Sequence, residues 1–179
     1  MRITGSSSPA ASAEALARAA SSGIVSECRR LLALGADPLF AESRPLRLAA
    51  GHGRLDCVAL LIPVSDLRPF PVSPLFHAAM AGEVECIRAL LPGSPPLDDF
   101  PAPLKAASWH GHAKAVALML EYAPEAASCL DLPSLELDAI NNGHYAVAEF
   151  WASFRERREL ASRVSESSLE SKTSKPIRL

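Results

Sequence analysis

The apolar residues of this chain fall at helical spacing in short blocks, and each block is broken by a glycine. In residues 74–91, Leu75, Ala78 and Ala79 recur at i, i+3 and i+4, and after Gly82 a second apolar face follows at Cys86, Ile87, Leu90 and Leu91. The block predicts two short antiparallel helices. Pro74 suits a first helical turn because it fixes φ and has no N–H to leave unpaired. Gly82 can take the left-handed conformation that ends the first helix. Neither helix is long enough to be stable alone in water. The block recurs on both sides. Pro45-Leu46-Arg47-Leu48-Ala49-Ala50-Gly51-His52-Gly53 leads into Cys57-Val58 and Leu61-Ile62, and Pro103-Leu104-Lys105-Ala106-Ala107-Ser108-Trp109-His110-Gly111 leads into Ala115-Val116 and Met119-Leu120. Gly53, Gly82 and Gly111 stand 29 residues apart. A worn copy precedes them (Leu16, Ala19-Ala20, Gly23, Cys28, Leu31-Leu32, then Gly35-Ala36-Asp37-Pro38), and another follows (Ala139, Gly143-His144, Val147, Phe150-Trp151). Self-similarity at such a period marks a solenoid.

The frame Pro-Leu-x-x-Ala-Ala-x-x-Gly, followed by an apolar pair, Leu-Leu and Gly-Ala-Asp, resembles the ankyrin repeat. The resemblance covers residues 14–154, five copies in register, and residues 57–66 resemble a repeat-end sequence common in bacterial ankyrin arrays. It implies an all-α solenoid of about five helix pairs. The chain departs from the family in two ways. Its period of about 30 is shorter than the usual ~33, and no copy keeps Thr-Pro-Leu-His in full. The Pro-rich links Pro69-Phe70-Pro71-Val72-Ser73 and Pro92-Gly93-Ser94-Pro95-Pro96 are expected to replace full β-hairpin fingers, because proline cannot donate to a strand ladder. Residues 14–34 are expected to form a capping pair without a proline start. Three clear repeats (45–62, 74–91, 103–120) come next, then an irregular connection over 122–135 and a last pair over 136–160. The Ser/Ala-rich segment 1–13 and the polar tail 161–179 are expected to be disordered.

Composition narrows the function classes. A length of 179 residues fits one domain, and a hydrophobic content of 49% supports a real core. The net charge of −2 gives no general attraction for nucleic acid. The charge is uneven: residues 1–154 carry 11 Lys+Arg against 16 Asp+Glu, while residues 155–179 carry 7 against 4. An acidic body favours a basic or mixed protein partner. No apolar run approaches the ~18–20 residues of a membrane span, and the N-terminus lacks the apolar centre of a secretory signal. A monomer in the cytoplasm is the expectation. The alternative is export into a host cell, because the Ser-rich, acid-free N-terminus resembles those of bacterial type III effectors. Cys28, Cys57 and Cys86 recur on the apolar face of the second helix and read as small core residues in a reducing compartment.

The five histidines and four cysteines form no metal-like or catalytic constellation, and no Gly-rich phosphate loop occurs. Neither an enzyme nor a cofactor is expected. The run Arg155-Glu156-Arg157-Arg158-Glu159 reads as a solvated helix face. The ankyrin resemblance implies that the two positions before each repeat glycine point into a concave groove: Ser21-Ser22, Gly51-His52, Met80-Ala81, Trp109-His110 and Asn141-Asn142. Finger positions carried over by alignment include Ser43, Phe70, Val72, Asp98 and Asp99. On this basis Trp109, Met80, His52 and Phe70 make a central apolar strip with acids at its edge, and tryptophan is a frequent hot-spot residue. The competing reading packs Trp109 on its neighbouring repeat as core. The function expected is non-catalytic binding of another protein along the groove, through Met80, Trp109, His110, His52, Phe70, Asp98, Asp99, Asn141 and Asn142. The same groove acting on a host protein, in an exported bacterial effector, is the alternative.

Overall fold

Every repeat glycine ends a helix. Gly23, Gly53, Gly82, Gly111 and Gly143 all have positive φ, between 66° and 80° for the first four save Gly111 at 82°, and 77° for Gly143. At Gly82 the amide donates to the Ala79 carbonyl, and the Glu83 amide donates to the Ala78 carbonyl at 3.0 Å. The matching long bond runs from Arg54 to Ala49, from His112 to Ala107 and from His144 to Ala139. These bonds satisfy carbonyls that a helix end leaves free.

A computed structural model describes residues 8–68, 73–93 and 100–173, with side chains to residue 165. Its helices are α1 (Pro9–Ser22), α2 (Val25–Ala33), α3 (Phe40–Gly51), α4 (Leu55–Leu61), α5 (Pro74–Ala81), α6 (Val84–Leu90), α7 (Pro101–Trp109), α8 (Ala113–Tyr122), α9 (Leu132–Asn141) and α10 (Tyr145–Thr173). They form five hairpins, and no strand occurs among the described residues. Odd-numbered helices pack in sequence as one layer, and even-numbered helices as the other. The fold is the expected all-α stack of helix pairs. Among the described residues, no helix is long and apolar enough to cross a membrane.

The core runs unbroken along the stack. Leu16, Leu46, Leu75 and Leu104 are buried in the first layer, with Ala20, Ala50 and Ala79 beside them. Cys28, Val58, Ile87 and Val116 are buried in the second. The alanines let adjacent helices approach closely, so most of the apolar area of each short helix is buried on its neighbours. Cys28 Sγ and Cys57 Sγ lie 4.0 Å apart in adjacent repeats, and burial pushes the Cys28 thiol up to about 12 and the Cys86 thiol up to about 11. Cys129 is exposed.

Several boundaries differ from the sequence reading. The first helix starts at Pro9, so residues 9–13 are helical, and Ala13 is buried. Pro9 is the proline start this pair was expected to lack, and Glu14 pairs with Arg44 on α3 at 2.7 Å. The last helix continues to Thr173 instead of ending near residue 160, because residues 145–173 contain neither proline nor glycine. Its charged run is not simply solvated: Arg155 pairs with Glu136 on α9 at 3.0 Å, and Arg158 donates to the Ala127 carbonyl at 3.2 Å. Residues 132–135, read as irregular connection, form the start of α9. Asp131 accepts from the Ser134 amide, and Pro133 lies in the first turn. The first turn of α3 is left-handed, with Ala41, Glu42 and Ser43 at φ 47°, 59° and 57°. Buried Ser43 accepts from the Asp66 amide at 2.9 Å, and Arg47 donates to the Ala41 carbonyl at 2.7 Å. These bonds hold a turn that non-glycine residues rarely adopt. The Pro-rich links fall largely outside the described residues.

Gly82→Ala is expected to destabilise the protein by about 1–3 kcal/mol in urea denaturation. The new Cβ would stand at positive φ and would meet the His112 ring. An unchanged midpoint would show that neither constraint acts. A second expectation concerns alkali. The unfolded thiols lose their protons near 9, whereas Cys28 and Cys86 hold theirs to about 12 and about 11. Unfolding therefore releases protons above pH 9, and the stability due to these groups falls as pH rises from 9 through that range. A Cys28→Ala, Cys86→Ala variant should show a shallower alkaline decline in melting temperature than the parent.

Candidate functional site

The glycine caps also stack from repeat to repeat. The side chain following each glycine lies over the glycine of the repeat before it: Arg54 over Gly23, Glu83 over Gly53, His112 over Gly82 and His144 over Gly111. Arg54 Nε donates to the Ser21 carbonyl at 3.1 Å, and the His112 Nε2–H donates to the Met80 carbonyl at 3.1 Å. The histidines after the glycines therefore bridge repeats. Because cap sits on cap, all odd-numbered helices run the same way, and the residues just before each glycine form one row.

That row changes character along the stack. At the position two before the glycine stand Ser21, Gly51, Met80, Trp109 and Asn141. The first two are small. Met80 and Trp109 are exposed, Trp109 by 57%. This exposure removes the reading of Trp109 as an inter-repeat core residue. The chain's other tryptophan, Trp151 on α10, has that role. It is fully buried, and its Nε1–H donates to Ser108 Oγ at 3.0 Å, while Ser108 Oγ donates to the Leu104 carbonyl at 2.8 Å. Trp151 thus fastens α7 from behind.

In front of α7 lies a cavity of about 580 Å³. One wall is α5, with Phe76 and Met80. The floor is α7, with Ala102, Ala106 and Ser108, and with Lys105, Trp109 and His110 rising from it. The far wall is α9, with Leu135 and Ala139 between Asp131, Ser134 and Asp138. The small side chains at Ala102, Ala106 and Ala139 leave the space that Trp109 and Phe76 border. Among the described residues Lys105, Asp131 and Asp138 have no ion-pair partner. One cation and two carboxylates therefore face a mainly apolar hollow.

The residues singled out from the sequence divide. The structure brings together Met80, Trp109 and His110. His52 is exposed but lies off the cavity, with its Nδ1–H donating to the Leu48 carbonyl at 2.8 Å. Asn141 and Asn142 are exposed at the end of α9, where Asn142 donates to the Asp138 carbonyl at 2.7 Å, and neither lines the cavity. Phe70, Asp98 and Asp99 lie outside the described residues. The sequence reading missed Phe76, Lys105, Asp131, Leu135 and Asp138. Phe76 and Lys105 stand one turn before Met80 and Trp109, a spacing that puts them on the same helix face. The α9 residues were hidden by the misplaced start of that helix. His77, beside this surface, is half-buried. Burial lowers its pKa, with the Arg47 charge adding to the effect and the Ser73 carbonyl opposing it. Among the described residues, no group of three or more His, Cys, Asp or Glu is placed to hold a metal ion.

Residues 46–129 match the family model for ankyrin repeats, in three copies. No curated protein matches the chain.

The two tryptophans should separate in a stability test. Trp109→Ala is expected to change unfolding stability by less than about 1 kcal/mol, as for an exposed side chain. Trp151→Ala is expected to cost about 3–5 kcal/mol, as for a large buried aromatic. Urea titration followed by circular dichroism measures both, and a strongly destabilised Trp109→Ala would return that residue to the core.

Proposed function

Residues 46–129 are ankyrin repeats, in general protein-binding modules, and from that premise we propose that this chain binds another protein on the surface of its odd-numbered helices. The binding surface proposed is the cavity between α5, α7 and α9, with Trp109, Met80 and His110 as contacts. The observation that supports it most is the exposure of Trp109 above an apolar hollow, in a protein whose other tryptophan is fully buried. An exposed tryptophan bordering a pocket offers large contact area for little loss of rotamer freedom. His52, Asn141 and Asn142 extend the surface along the row of caps. Phe70, Asp98 and Asp99 remain proposed contacts from their finger positions in the repeat frame. No catalytic step is part of this reading. The alternative, an exported bacterial effector that uses the same groove on a host protein, rests on the Ser-rich, acid-free composition of residues 1–13.

The test is affinity capture from a lysate with the parent protein and with Trp109→Ala, each checked for an unchanged melting temperature. The parent should retain a partner that the variant loses, a weakening of about 2 kcal/mol or more. A folded variant that captures the same partner equally well would remove this cavity from the account.

A further inference from the structure

The first and last helix pairs each break the repeat frame with an isoleucine. The position three before each repeat glycine holds Ala20, Ala50, Ala79, Ser108 and Ile140. The first four are buried, each on the side where the next odd-numbered helix packs. Ile140 is the one large side chain of the five, and it is 44% exposed. The position after each glycine holds Ile24, Arg54, Glu83, His112 and His144. The last four roof the glycine of the repeat before. Ile24 has the backbone setting of those roofs, since its amide donates to the Ala19 carbonyl at 3.0 Å as that of Arg54 donates to Ala49. Among the described residues no earlier glycine lies beneath it, and its side chain is 51% exposed. At the other end Gly143 has positive φ, and nothing lies within 4 Å of the place its Cβ would take. One end of the stack thus has a cap without a roof, and the other has a roof without a cap.

We infer that these two ends meet head to tail, so that α1 and α2 of a second copy of the chain continue the stack beyond α9 and α10 of the first. Ile24 of the second copy takes the roof position over Gly143. It cannot donate to a carbonyl as Arg54 and His112 do. It meets Ile140 instead, because a residue three before the glycine shares its helix face. Isoleucine then lies on isoleucine, where the inner repeats set a polar roof beside alanine or serine. Size agrees as well. Positions five and eight before a glycine face the repeat before: His77 lies against Gly51, and Leu135 and Asp138 face α7 across the cavity. In α1 these positions are Arg18, which is exposed, and Ala15, which is half-buried. The alanine leaves room for Ile140, and Arg18 comes beside Asn141 as His77 comes beside Gly51. The contact continues the geometry that joins every repeat to its neighbour, and each repeat of such a stack gains stability from the one that covers it. Joining like ends would bring Ile140 to Ile140 but leave Gly143 unroofed and Ile24 bare. A contact between unlike ends does not close on itself, so copies add in an open series. The cavity at Trp109 takes no part.

Sedimentation equilibrium of the full chain from about 10 µM to about 1 mM tests the inference, a range that reaches weak specific association. The average mass of the parent should rise steadily with concentration and pass that of a dimer. Ile24→Lys and Ile140→Lys change exposed side chains, so each should keep the parent melting temperature, and each alone should stay a monomer. Mixed in equal amounts they should form a dimer that grows no further, because each variant keeps the end that the other has lost. If a lysine variant melts lower than the parent, Ile24→Ser and Ile140→Asn replace the pair. Trp109→Ala should associate as the parent does, which separates this contact from the partner capture proposed for the cavity. A parent that stays a monomer throughout the range, as expected from the sequence, would overturn the inference. So would a mass that levels off at the dimer, which marks a contact between like ends. A mixture of the two variants that remains monomeric would overturn it as well.

Discussion

The stack depends on one contact, repeated: a left-handed glycine at the end of one helix, roofed by the side chain that follows the glycine of the next repeat. Positive φ at these positions lets the chain turn within a residue or two and feed its amides back to the alanine carbonyls of the preceding helix. The absence of a side chain then lets the roof descend. A Cβ on Gly53, Gly82 or Gly111 would run into Glu83, His112 or His144. The residue must therefore be glycine for two separate reasons, one within the repeat and one between repeats. The roof itself is variable. Arginine, glutamate and histidine all serve, because the demand is for a polar side chain that can lie flat over the cap. Gly143 ends the series, with nothing near the place where its Cβ would be.

That doubled constraint explains what could be read from the sequence. The glycine spacing and the apolar positions were legible, since both recur and both are required by packing. The row two residues before each glycine was legible for the same reason, and it led to Met80 and Trp109. The ends of the stack were not. Residues 9–13 are Ser/Ala-rich and look like a loose terminus, yet Ala13 is buried and Pro9 opens the helix. Whether an alanine-rich stretch folds depends on what packs against it, and here α3 does, with Arg44 reaching Glu14. The second half of α10 is polar and was read as tail, but the helix runs on to Thr173, with no proline or glycine in 145–173 to stop it. The left-handed turn at Ala41, Glu42 and Ser43 had no signal at all, because none of the three is a residue that announces positive φ. Of its supports, Arg47 on the Ala41 carbonyl lies within the same helix, and Ser43 under the Asp66 amide is tertiary.

The candidate site shows the same division between what the repeat dictates and what it leaves free. Its α5 and α7 residues follow from register alone. Its α9 wall does not, because the last pair departs from the repeat frame. The step from Gly111 to Gly143 is longer than the others, and the 3-10 turn Pro124–Cys129 takes up the extra length. Asp131 before Leu132-Pro133 is a helix start in its own right, and that local signal outweighs the frame. The irregular repeat is thus the one that supplies both carboxylates.

Under the proposed function, a solenoid of this kind separates binding from folding by geometry. In each repeat the layer facing the core is fixed by neighbours on both sides, so a change there is felt along the stack. The position two before the glycine faces away, and the chain has filled it with serine, glycine, methionine, tryptophan and asparagine in turn. Met80 and Trp109, the large side chains at this position, border the hollow between α5, α7 and α9. On α7 the opposite side is filled by Trp151, which donates to Ser108. The two tryptophans therefore divide the labour across one helix. Trp151 packs against α7 from the core side and Trp109 stands exposed on the other; under the proposed function, a side chain on a helix packed from behind loses little freedom on binding.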